Sequence, residues 1–158
     1  MITSLANLLN ELLDGSGPDT AWVLNPNDPG LLKSIDTLSA EKASTVPGGG
    51  GASIAAHVDH LRYGLELLNR WSNGEEPFGD ADYTASWSRN TVSETEWASR
   101  REALRLQAHL WRQFLQRPRS FSTFDLTGVI ASAVHMAYHL GAIRQIDRSI
   151  RGPSARDF

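Results

Sequence analysis

Five histidines carry most of the chemical information in this chain of 158 residues. His135 and His139 stand four positions apart, which puts both imidazoles on one face of a helix, a face shared with Gly128, Ala131, Ser132, Ala142, Ile146 and Ile150. That face points into a core. His57 falls in the middle of a second helical stripe, formed by Ile54, Leu61, Gly64, Leu65 and Leu68, and also points inward. Each inward ring needs partners, because an unpaired buried polar group costs about 1–3 kcal/mol. Two nitrogens from the i, i+4 pair and a third from a facing helix converge on one point, as neutral imidazoles do around a divalent transition metal. His57, His135 and His139 are therefore the expected ligands. His60, three residues on at the edge of the same stripe, is the alternative to His57 or its support, and His57 is preferred as the more central. Gly128, Ala131 and Ser132 leave space above such a site for water or substrate. His109, beside Leu110 and Trp111, has no evident partner and reads as structural or surface.

Other chemistries are excluded by what the chain lacks. With no cysteine there is no thiolate nucleophile, disulfide, zinc ribbon or iron–sulfur cluster on it, so any metal is held by His, Asp or Glu. No HExxH, P-loop, GxGxxG after a strand or GxSxG elbow occurs, so neither a zincin-type base nor the common nucleotide-binding and hydrolase sites are expected. Catalytic residues other than metal ligands are not identifiable. The net charge of −3 implies no polyanionic partner. From Arg100 onward ten Arg face four acidic residues, but they interleave with core positions and nothing resembles a recognition helix. No nucleic-acid partner is expected. The five tryptophans read as core and interface packing. No apolar run approaches the roughly 18 residues of a membrane span, and Met1-Ile2-Thr3-Ser4 does not open like a secretory signal. A cytoplasmic protein without a membrane partner is the expectation, as one domain over residues 1–158.

The elements that must position these residues are helical. A first amphipathic helix is expected over Ser4 to Asp14, stopped by Gly15-Ser16-Gly17-Pro18, and a further piece over Leu31 to about Lys42. Pro47 and Gly48 to Gly51 break the chain before a second long helix, capped by Ser53 and running to about Trp71. A third starts at Ser93, with Glu96 completing a capping box, and continues to about Gln116; a last runs from Ser122 or Thr123 to about Arg151. Leu104, Ala108, Trp111 and Leu115 mark the third helix's inner face. No strand is expected, and four amphipathic helices argue for an all-α helical bundle. The link from Ser72 to Val92 is long enough to cross the length of such a bundle.

Two segments resemble the DinB-like superfamily of metal-binding four-helix bundles. Gly51-Ala52-Ser53-Ile54-Ala55-Ala56-His57-Val58-Asp59-His60-Leu61 is similar to that family's second-helix pattern of small and aliphatic residues leading to an inward His. His135-Met136-Ala137-Tyr138-His139-Leu140-Gly141-Ala142-Ile143-Arg144-Gln145 resembles its fourth-helix HxxxH followed by an aliphatic residue, Gly and Ile-Arg-Gln. The resemblance covers most of the chain from about Leu31. It implies up-down-down-up connectivity, with His57, His135 and His139 holding zinc, nickel or a similar divalent ion, and a homodimer. It also implies a relationship to bacterial transferases that use low-molecular-weight thiols such as bacillithiol, mycothiol or glutathione.

The leading functional expectation is thus a metal-dependent enzyme, a transferase or hydrolase, acting on a small-molecule thiol or an electrophilic substrate. The alternative is a non-catalytic dimeric bundle in which the histidines hydrogen-bond in the core or hold a structural metal.

Overall fold

Three serines start the three longest helices. Ser53, Ser93 and Ser122 each sit in extended backbone and accept the N–H of the residue three positions on, Ala56 at 3.2 Å, Glu96 at 3.3 Å and Asp125 at 3.1 Å. Glu96 returns the bond to the Ser93 N–H at 2.7 Å, closing the expected capping box. The computed structural model describes residues 2–154, which hold six α-helices and, among those residues, no strand. They are α1 (Ile2–Asp14), α2 (Gly30–Asp36), α3 (Ala40–Ala43), α4 (Ile54–Ser72), α5 (Glu94–Gln116) and α6 (Thr123–Ile146), with 3-10 turns at Ala85–Ser88 and Arg148–Ile150.

The four long helices pack in a cycle, α4 against α5, α5 against α1, α1 against α6 and α6 against α4. Leu9, Leu12 and Leu13 of α1 are buried against Ile54 and Leu61 of α4, Trp97, Leu104 and Trp111 of α5, and Val129, Met136 and Ile143 of α6 within one core. Leu104, Ala108, Trp111 and Leu115 form the inner face of α5 as the spacing predicts. Trp97 and Trp111 are fully buried, and both indoles are satisfied: Trp97 Nε1 donates to the Leu38 carbonyl at 2.8 Å and Trp111 Nε1 to Ser132 Oγ at 3.1 Å. Trp22, expected to pack, is instead 79% exposed.

Two expected helices are shorter than their periodicity suggests. The piece over Leu31 to Lys42 splits, because Ser39 caps a new turn by accepting the Lys42 N–H at 3.2 Å. The last helix ends at Ile146 rather than near Arg151. Asp147 turns extended there and its side chain accepts the Ser149 N–H at 2.8 Å, starting a 3-10 turn. By length and composition α6 is apolar enough to cross a membrane, although it contains no unbroken apolar run of that length. It packs through Val129, Ala133, Met136, Leu140 and Ile143 as a core helix.

The turn-rich stretch after α1 works as a strap. Gly15 and Gly30 both have positive φ, 99° and 71°; a side chain at Gly15 would collide with the backbone of Asp28 and Pro29, and one at Gly30 with the backbone of Gly15 and Asp14. Glu11 Oε1 accepts the N–H groups of Trp22, Val23 and Leu24 at 2.8–2.9 Å. Asp28, buried, takes both ends of the Arg144 guanidinium at 2.6 and 2.9 Å and also the Gly30 N–H at 2.8 Å. The strap is thereby tied to the end of α6 that follows the histidines.

Candidate metal centre

The histidine-bearing turns of α4 and α6 face one another, and a third element closes over them. After α4 the chain runs back along it: Tyr63 Oη accepts the Asp82 N–H at 3.1 Å, and Ser53 bonds twice to Asn90, N–H to Oδ1 at 2.8 Å and Oγ–H to the carbonyl at 2.7 Å. These ties set the 3-10 turn Ala85–Ser88 against α4 and lay Trp87 over the imidazoles. Its ring stacks on His60 at a centroid distance of 4.3 Å and meets His57 edge-on at 5.4 Å.

Four of the five histidines meet here. The Nε2 atom of His135 lies 3.2 Å from Nε2 of His60 and 2.9 Å from Nε2 of His139. His60, His135 and His139 each offer one nitrogen to a group in which all three lie within 4.8 Å of one another. His57 stands on the far side of His139, its Nδ1 2.8 Å from Nδ1 of that ring. The structure therefore brings the expected His135 and His139 together with His60, and places His57 behind His139. His109 is exposed.

This set fits a divalent ion. Two nitrogens each about 2.0–2.1 Å from one ion lie roughly 2.9–3.4 Å apart at tetrahedral or octahedral angles, and the two spacings to His135, 3.2 and 2.9 Å, fall in that range. The protonation states agree. Burial lowers the pKa of all four rings below the ordinary 6.5. Burial first, then the neighbouring imidazoles, bring His60 to about 4 and His139 to about 3. Neutral rings keep their lone pairs. With Nε2 of His139 in the group, its Nδ1 carries the proton and donates to His57 Nδ1, so His57 fixes the tautomer and orientation of His139. Asp59, beside His60, is not a spare ligand. Although burial opposes its charge, the Arg62 hydrogen bond at 3.0 Å and the charges of Arg62, Arg100 and Arg89 hold its carboxyl below the usual range.

The pKa shifts carry a stability prediction for the metal-free protein. A buried ring whose pKa is lowered resists protonation when folded, so the unfolded chain takes up protons first as pH falls below about 6.5. Stability is full above that value and is lost as pH falls toward the folded values, about 4 and about 3. Urea unfolding should show a loss of roughly 2–4 kcal/mol between pH 7 and pH 5. A flat profile across that window would contradict neutral buried imidazoles.

His60 and His135 also line a cavity of about 310 Å³ between α4 and α6, which His57 and His139 do not reach. Gly128, Ala131 and Ser132, the small residues expected to leave space, line it from α6, and Gly64 and Leu68 from α4. Gly128 and Ala131 are exposed because their face of α6 opens into this cavity. Phe78 and Tyr83 from the connection complete its wall. Those two aromatics and Trp87 were missed by sequence reasoning. The signal available was three aromatic residues at intervals of four or five within a stretch of Gly, Pro and acidic residues.

A family model described as the DinB superfamily matches residues 30–142, a span that contains all of α4 and both α6 histidines. The chain belongs to the DinB superfamily. No curated protein and no solved structure matches it.

Proposed function

We propose that the chain is a divalent-metal-dependent enzyme in which His60, His135 and His139 hold the ion, zinc or nickel, His57 orients His139, and the adjoining cavity receives substrate. The observation that carries this reading is the meeting of three neutral ring nitrogens at the wall of an open cavity. A bound divalent ion would supply Lewis acidity and hold a low-molecular-weight thiol as its thiolate. The chain's own groups then bind and exclude: Trp87 covers the rings from one side, Leu65 and Met136 keep water from the apolar wall, and the cavity mouth orients an electrophile. No carboxylate stands in the histidine group, which favours transfer by a bound thiol over hydrolysis assisted by a protein base. Family membership supports an up-down-down-up bundle as the frame that carries α4 and α6.

Cobalt-substituted protein titrated with glutathione or a bacillithiol-type thiol provides the test. A new sulfur-to-metal absorption band is expected. A spectrum indifferent to thiol would leave the ion a structural role in a non-catalytic bundle.

A further inference from the structure

The cavity beside the histidines does not end at Gly128. A second one, of about 480 Å³, continues along α6 and shares Leu68, Phe78, Gly128 and Ala131 with the first. Together they form a groove from His135 to Phe124, eleven residues of helix and so about 16 Å long. Its floor is apolar, made by Leu65, Leu67, Leu68 and Trp71 of α4. The two α6 hydroxyls in its walls are already spent: Ser132 Oγ donates to the Val129 carbonyl at 2.7 Å and accepts from Trp111, and Thr127 Oγ1 donates to the Thr123 carbonyl at 2.8 Å, while Tyr83 stands half-exposed at the rim. The one charged residue in its walls, Asp125, lies at the far end and accepts from Ser122 Oγ at 2.7 Å. A polar ligand body would lose hydration here without recovering partners. Only at the histidine end do ring nitrogens converge.

We infer that this groove binds an elongated amphiphile, with an electron-pair-donating head at the histidines and an unbranched apolar tail of medium length lying over Gly128 and Ala131 toward Phe124. The shape favours a slender tail over a second protein surface. Gly128 and Ala131, with little or no side chain, stand between the larger rings of Phe78 and Tyr83, which are 44% and 45% exposed, and Phe124, which is 86% exposed. A flat helix face would rest on those rings and leave the floor empty, whereas a chain can lie in the channel. Placement of the head rests on the metal reading given above. Placement of the tail does not.

Calorimetric titration of the full chain, metal-free and zinc-loaded, with acetohydroxamate, hexanohydroxamate and octanohydroxamate separates the two. Affinity should rise about 4-fold per added methylene in both forms, with zinc adding a constant further gain. In Ala131→Trp, and independently in Gly128→Leu, a side chain fills the groove and the dependence on chain length should disappear; circular dichroism reports whether each variant is folded. Equal affinity for all three ligands, or a dependence that survives both substitutions in folded protein, would overturn the inference. Dependence on chain length without a gain from zinc would keep the groove and remove the metal reading instead.

Discussion

His139→Ala should abolish tight binding of a divalent ion. His139 contributes one nitrogen to the convergent group and uses the other to meet His57, so its loss removes a ligand and strands His57 without its partner. His60→Ala and His135→Ala should do the same. His57→Ala should be milder: it removes the acceptor that orients His139 and leaves three nitrogens in place, and losses of this kind are about 10–100-fold in metal affinity. Equilibrium dialysis against zinc, with elemental analysis of each variant, ranks the four. If His57→Ala lost the ion and His60→Ala kept it, the ligand set would be His57, His135 and His139, and the His60 ring would be a packing partner of Trp87.

Asp28→Ala should cost about 3–5 kcal/mol of unfolding free energy, because it leaves the Arg144 guanidinium unpaired in a buried position. The Asp28 side chain is 2% exposed and that of Arg144 13%, so the pair is largely withdrawn from bulk water although both residues border a cavity. The same substitution frees Gly30 N–H at the start of α2 and loosens the strap between α1 and α6. Chemical denaturation of wild type and variant measures the difference. A loss below about 1 kcal/mol would mean that the pair is solvated in solution and holds nothing.

Much of this architecture is legible in the residues. Ser53, Ser93 with Glu96, and Ser122 announce the starts of α4, α5 and α6, because a hydroxyl next to a periodic apolar segment has one strong use, to cap a helix. The ends are harder. Asp147 stops α6 by capping the next turn, a local competition that apolar periodicity through Ile146 and Ile150 conceals. The i, i+4 spacing of His135 and His139 places them on one face without knowledge of the fold. The relation between His57 and His60 is another matter. They stand about 60° apart on a helical wheel, and an imidazole is long enough for either to reach the same point. The choice depends on where Trp87 and α6 sit, which follows from long-range ties such as Ser53 to Asn90. The aromatic wall of the groove is hard to read for the same reason. Phe78, Tyr83 and Trp87 lie in a connection with no period, and only the bonds that hold it along α4 turn it toward the histidines.

Convergent neutral imidazoles beside an open cavity should hold a metal. Elemental mass spectrometry of tag-free protein, as isolated and after reconstitution with zinc, nickel and manganese followed by desalting, tests it most directly. About one equivalent of a divalent transition metal per chain is the expected result for a single three-nitrogen site. Protein that remains metal-free after all three reconstitutions would contradict it and leave a helical bundle whose buried histidines are satisfied by one another.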